Sequence, residues 1–296
     1  MSRILIASAV WRPLAALVIA GSVCAGSLIA EEPLQESAKS SADASPLRKQ
    51  LDESVNYAEL FDSEQSEKPM AVRIVMRWAN NIRQSDDGMT VLFLSHGRPA
   101  AACCIYPWHN QSLALEFDSL SRGTFVAKQS GTPFWQPATP GIEFHAITDA
   151  DPPADSPAAR LRQMKALSRE FSSKMLGMKA QNEDREELRL LPRPLYRYEN
   201  LPEGDCIDGA VFAFVQGTDP ESLLLLEAIK TKDRTEWQYA FGRRTTGELE
   251  GRHRGKAVWH VERGPATRDP RSIHYVLSRP LNPDVLEQLD AAATGR

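Results

Sequence analysis

The sequence predicts an α+β fold, with antiparallel β-meanders and one long amphipathic helix between them, and three observations carry the prediction. Val72, Ile74, Met76 and Trp78 alternate with Ala71, Arg73, Val75 and Arg77, a period of two that gives a strand one buried face. Within residues 157–176, Leu161, Met164, Phe171 and Met175 share one helical face, while Arg160, Arg162, Lys165, Arg169 and Lys174 lie elsewhere. A second series of short apolar runs with Gly and Pro between them follows residue 190.

The chain opens on an export pattern. Arg3 and Arg12 precede an apolar run, Leu14 to Ala30, that ends in small residues, as a translocated segment requires. That run is about 17 residues long, near the lower limit for spanning a bilayer, so cleavage after Ala25 or Ala30 and an uncleaved anchor are both open. Gly21-Ser22-Val23 before Cys24 lacks the leucine and small final residue of a lipid-attachment motif. Residues 31–68 are too poor in large apolar side chains at their start to order a backbone, and predict a disordered tether with a candidate short helix after Pro46. The globular domain is expected over residues 69–296.

After the first strand come VLFLSHGRPAAACCIYPW, where Gly97-Arg98-Pro99 separates two apolar runs, then LALEFDSL and GTFVAK, the pattern of an antiparallel meander. Trp135, Pro137, Pro140 and Gly141 mark an irregular crossing before a strand expected over 142–147. Ser156 can cap a helix and Pro157 fits its first turn, which sets the start of the helix over 157–176. NEDREE and the prolines of LLPRPLYRYE read as the connection to the second β half, expected over 190–280 against 69–148 for the first.

The halves share a local likeness. Asp208-Gly209 leads through AVFAFVQ to Gly217-Thr218-Asp219-Pro220 much as Asp87-Gly88 leads through TVLFLSH to Gly97-Arg98-Pro99. A duplicated meander and two unrelated hairpins with the same turn chemistry both account for it. SLLLLEAIK is uniformly apolar and short, which favours a strand over a capped helix, and Trp237, Tyr239 and Phe241 alternate after it. Ala257, Trp259 and Val261 give another strand, Ile273 to Leu277 a last one, and Asn282-Pro283 begins a small terminal helix.

Composition limits the partners. Loss of residues 1–30 removes two arginines and no acid, taking the net charge from −4 to −6, which provides no field for nucleic acid or an anionic membrane. Membrane contact is expected only through the N-terminal segment if it stays uncleaved. Three cysteines follow that segment: Cys103, Cys104 and Cys206. Adjacent strand residues point to opposite faces, so at most one of the first two can reach Cys206, and buried free thiols or one disulfide are the alternatives. No GxSxG, phosphate loop, GxGxxG, HExxH or CxxC spacing occurs. No cofactor and no metal are therefore expected.

Two groups of residues stand out as candidate sites. His96 and Arg98 in Ser95-His96-Gly97-Arg98 set an imidazole and a guanidinium at one turn, where a near-neutral base and an anion-binding fork could meet a ligand. In RPLYRYE, alternation puts Tyr196 and Tyr198 on one strand face and Arg197 on the other, a set that stacks and hydrogen-bonds well with sugars or anions, and that also suits edge packing with Arg197 paired to Glu199. Arg243, Arg244, Arg252, His253, Arg254 and Lys256, with Glu248 and Glu250 among them, read as a solvated hairpin loop. An acid pair for glycoside hydrolysis cannot be chosen from sequence.

RWANNIRQSDDG, GRPAAACCIYPW, RLRQMKALSREF, LRLLPRPLYRYE and DGAVFAFVQGTDPESLLLLEA resemble segments of an uncharacterised family of exported proteins from planctomycete bacteria, over residues 70–262. The resemblance implies a location in the bacterial envelope, periplasmic or extracellular, and transfers no catalytic residue. The expectation is an exported, non-catalytic domain that binds an envelope ligand or protein. An extracytoplasmic hydrolase using His96 or an acid pair, and a structural envelope component, are the alternatives.

Overall fold

A computed structural model describes residues 45–80, 85–109, 111–176, 185–199, 201, 205–232 and 234–294. The expected export segment, Cys24 and the first part of the expected tether lie outside the described residues. The fold is α+β and built mainly of antiparallel sheets. No helix among the described residues is long and apolar enough to cross a membrane.

Helix α1 (Pro46–Ser54) begins where Ser45 accepts the Arg48 amide at 3.2 Å and Pro46 presets the first turn. Its Leu47 and Leu51 are buried beside Leu60 of strand β1 (Glu59–Phe61). The short helix expected after Pro46 is α1, and residues 45–68 are folded rather than part of a disordered tether, because three leucines in this stretch have an apolar sheet face to cover. Strands β2 (Ala71–Asn80), β3 (Ser85–Ser95), β4 (Arg98–Trp108) and β5 (Ser112–Ser119) then form a meander, with β2 at its outer edge. A bulge in β2 between Ile74 and Met76 interrupts its alternation, and Ile74 is 43% exposed although the sequence pattern places it with the buried set. At the β3–β4 turn His96 and Gly97 both have positive φ, 49° and 93°, as a two-residue hairpin of this hand requires.

Strands β6 (Val126–Gln129) and β7 (Thr132–Trp135) join β1 in a three-stranded sheet. Of the strand expected over 142–147, only β8 (His145–Ala146) pairs. Helix α2 (Pro157–Ser168) has the expected Ser156 cap but stops before Phe171. Phe171 and Met175 lie instead on strand β9 (Phe171–Leu176), where Phe171, Ser173 and Met175 alternate inward. The single long helix over 157–176 is thus a short helix followed by a strand, because period two takes over from period 3.6 at residue 171. Arg160, expected on the outer face, is buried on α2.

The polar connection also contains a strand, β10 (Arg185–Leu190), which pairs with β9. Strands β11 (Tyr196–Glu199), β12 (Cys206–Gln216), β13 (Asp219–Lys230), β14 (Thr235–Arg243), β15 (Leu249–His253) and β16 (Lys256–Val261) complete a nine-stranded sheet in the order β16-β15-β9-β10-β12-β13-β14-β8, with β11 also on β12. SLLLLEAIK is therefore strand. Strand β17 (His274–Pro280) returns to pair with β5, and α3 (Pro283–Thr294) follows.

The two large sheets pack face to face. Leu92, Leu94 and Ala102 of the first meet Val211, Ala213 and Leu225 of the second. Alternate residues of the same strands, such as Val91 and Phe93 or Phe212 and Leu224, turn outward into two further cores, covered by α1 with α3 and by α2 respectively. The nine-stranded sheet curls back on itself, so Trp259 of β16 stacks on Phe241 of β14 at 5.3 Å and 10° although five strands lie between them in ladder order.

Several local features occur twice. Trp78 lies opposite Gly88, and Tyr198 opposite Gly209. A Cβ on either glycine would meet the opposing ring, at 2.6 Å from Trp78 and 2.3 Å from Tyr198. The aspartate before each glycine holds an arginine of the covering helix: Asp87 takes Arg48 of α1, and Asp208 takes Arg160 of α2, each at 2.8 Å.

Candidate functional site

Both groups singled out in the sequence come together at the contact between the sheets. The Tyr196 hydroxyl donates to Gly97 O at 3.1 Å, which ties β11 to the His96-Gly97 turn. Arg98 donates from Nε to Glu227 Oε1 at 2.8 Å and from Nη2 to Oε2 at 2.5 Å. The Tyr198 hydroxyl reaches the same Oε1 at 2.8 Å, and Gln238 Nε2 the same Oε2 at 2.7 Å. Glu227 is fully buried and its four acceptor directions are used. Burial acts to lower the Arg98 pKa, and the hydrogen bonds and charge of Glu227 outweigh it, so the guanidinium is held more firmly protonated than usual. Burial pushes the Tyr198 phenol well above its ordinary value. Arg98 is thus committed to Glu227 and is not an open anion fork.

His96 lies half exposed, with Nε2 3.4 Å from Asp62 Oδ2, while Ser95 Oγ donates to Asp62 Oδ1. The carboxylate takes the Ser95 hydroxyl, so these three side chains do not form a relay in which imidazole activates serine. Arg197 points to the other face, as alternation predicts. It reaches Asp208 at 3.0 and 2.8 Å and Glu199 at 2.8 Å. With Arg160 on the same buried carboxylate, it fixes α2 against β12.

An open concavity lies elsewhere, and the sequence reading missed it. An open cleft of about 890 Å³ follows the seam of the curled sheet, between residues 140–145 and β16, with Gln238, Tyr239 and Phe241 of β14 as its floor. Such a volume is within the range of ordinary ligand sites. Arg122, His145, His260 and Glu143, with the Tyr239 phenol, are the ionisable groups that line it among the described residues. A smaller recess of about 300 Å³ that contains His96 and Arg98 adjoins it through the shared Arg122, Ile142 and Phe144. Phe144 separates the two guanidiniums, whose carbons are 5.8 Å (Arg98) and 5.6 Å (Arg122) from its ring centre. Arg122 is exposed and forms no ion pair among the described residues, whereas His260 Nε2 is 3.1 Å from Glu248. No spacing in the sequence marks these residues, because they come from a loop, a strand end and an edge strand far apart in the chain.

A second set of buried charges bridges the sheets. Arg244, at the end of β14, ion-pairs with Asp118 of β5 and donates to Ala102 O at 3.3 Å. His274 Nδ1 lies 2.7 Å from Asp118 and its Nε2 3.8 Å from Glu116. The Tyr106 hydroxyl donates to Glu116 at 3.0 Å. Arg244 therefore does not belong to a solvated loop, as the arginine-rich sequence suggested; the buried Asp118 carboxylate draws it inside. Cys103, Cys104 and Cys206 are buried free thiols, and burial raises all three, Cys104 and Cys206 to about 12. A thiol so protonated is a poor nucleophile. Among the described residues no group of three His, Cys, Asp or Glu is arranged to hold a metal ion.

Together the fold and the site define an antiparallel α+β domain of two large packed sheets and one small one, with an aromatic, arginine-bearing cleft at the seam of its curled sheet. No protein-family model, curated protein or solved structure matches the chain.

Proposed function

We propose that this is an exported envelope protein whose folded domain binds a ligand without transforming it, in the seam cleft. The observation that carries the reading is the cleft itself: Arg122, an exposed guanidinium without an ion pair among the described residues, stands beside aromatic surface supplied by Phe144, Tyr239 and Trp259. Arginine and aromatic rings together recognise ligands that carry both charge and a flat or apolar face. The charged opening segment and the resemblance to exported planctomycete proteins support the location. The repeated Asp-Gly, ring and helix-arginine contacts support an origin by duplication of one helix-and-meander unit, which would place the cleft beside the join of the two copies.

The test uses the purified exported protein with two probes, an oligogalacturonate and an acidic peptide, read as thermal shift beside assays of chromogenic esters and glycosides. A shift with at least one probe that Arg122→Ala diminishes, without turnover, is expected. Turnover that His96→Ala abolishes would instead establish the hydrolase. N-terminal sequencing of the same material is expected to show a start at Gly26 or Glu31; an intact Met1 would mean an anchored protein.

A further inference from the structure

Resting on that binding reading, we infer that the seam cleft is a strand acceptor: it takes an extended acidic segment of a partner polypeptide, which adds to the free edge of β16. Strand β16 ends the ladder order and pairs with β15 alone, so one row of its amides and carbonyls has no ladder partner among the described residues. Such a row is a template for another chain. This edge borders the 890 Å³ cleft, where Val258, Trp259 and His260 line the wall.

The opposite wall is also incompletely paired. The β14 ladder has a definite phase: Arg244 N bonds Glu221 O on the β13 side, and Ile147 N bonds Trp237 O on the β8 side. Alternation from both bonds turns the main-chain groups of Trp237, Tyr239 and Phe241 away from β13. Strand β8 is only two residues long and faces Gln238 and Tyr239, so ladder pairing stops short of Phe241. The sheet thus reaches the seam with a free edge on one side and a truncated one on the other. An added strand would extend the curled sheet across the gap.

The lining selects the occupant. Inward side chains of an added strand would meet Trp259 stacked on Phe241, together with Tyr239 and Phe144, which suits β-branched or aromatic residues. Charge favours an acidic segment: the Arg122 guanidinium has no carboxylate partner among the described residues, and Glu143 is the one carboxylate among them that lines the cleft. A glycan could use Arg122 and Trp259, but it would leave the β16 main-chain row without its partners. At about 3.3 Å per residue, the six residues of β16 span about 20 Å, enough to give a short segment several ladder bonds.

The experiment titrates the full exported protein with a labelled alternating Thr-Val peptide of β16 length carrying glutamates at both ends. It is repeated with lysines in place of the glutamates, with alternate amides N-methylated in either phase, and with an oligogalacturonate. Binding of the acidic peptide is expected, with slowed amide exchange over residues 256–261. N-methylation in at least one phase should weaken it at least about tenfold, since several ladder bonds are lost. The lysine peptide should bind more weakly, and Arg122→Ala should weaken the acidic peptide about two- to fivefold. Binding left unweakened by N-methylation in both phases, or unchanged exchange over 256–261, would overturn strand addition. Oligogalacturonate binding without peptide binding would overturn it too while leaving the binding reading standing; silence from every probe would remove both.

Discussion

Replacing Glu227 by alanine should be among the costliest single changes in this domain. The carboxylate is fully buried and receives two bonds from Arg98, one from Tyr198 and one from Gln238. Arg98 retains 20% side-chain exposure and can regain some water, but Tyr198 and Gln238 are only 4% and 9% exposed and would hold orphaned donors between the sheets. Removing one partner of a buried charged pair costs about 3–5 kcal/mol. In a domain of this size that corresponds to a fall in Tm of ~10 °C. Thermal unfolding followed by circular dichroism, with urea denaturation as a second measure, reads it directly. The double replacement Arg98→Met with Glu227→Leu should be milder than Glu227→Ala alone, because it removes the charge with its partner. If Glu227→Ala lowers Tm by less than ~2 °C, this network does not couple the sheets in the way described.

Three other outcomes follow from the same geometry. Gly88→Ala and Gly209→Ala should each destabilise by about 1–3 kcal/mol in urea titrations, since the new methyl meets the Trp78 or Tyr198 ring; a neutral result at either would mean that the ring moves freely. Burial acts to lower the His274 pKa, yet the Asp118 charge and hydrogen bond raise it above 6.5 overall, and burial raises Glu116 above 4.5. Both groups hold protons more tightly folded than unfolded, so their contribution to stability is lost as pH rises through the folded values; Tm measured from mildly acidic to mildly alkaline pH should fall across that window, and His274→Gln should flatten the slope. Iodoacetamide at mildly alkaline pH should leave Cys103, Cys104 and Cys206 unlabelled in the native protein and modify all three after denaturation, and rapid native labelling would contradict their burial.

Alternation is a local property, and wherever a strand lies between two apolar layers or faces water on one side, the sequence shows it directly. That made the β3–β4 hairpin, the β12–β13–β14 series and the opposite orientations of Tyr196 and Arg197 legible, together with the Ser-Pro start of α2. The end of α2 was not legible, because Leu161, Met164, Phe171 and Met175 satisfy a helical face as well as a helix followed by an alternating strand. Pairing with β10 and β15 decides between the two. Nor could sequence show that Arg244 is buried, since its partner Asp118 lies 126 residues earlier on the facing sheet. The cleft is of the same kind: Arg122, Phe144 and Trp259 have no common spacing, and they meet only because the second sheet curls until β16 approaches β14. What the sequence determines by itself is that strands dominate and, for the hairpins with clear alternation, which of their faces are apolar. Which charges are neutralised and where the surface opens depend on strand order, register and sheet curvature, whose free energies are summed over contacts between residues distant in the chain.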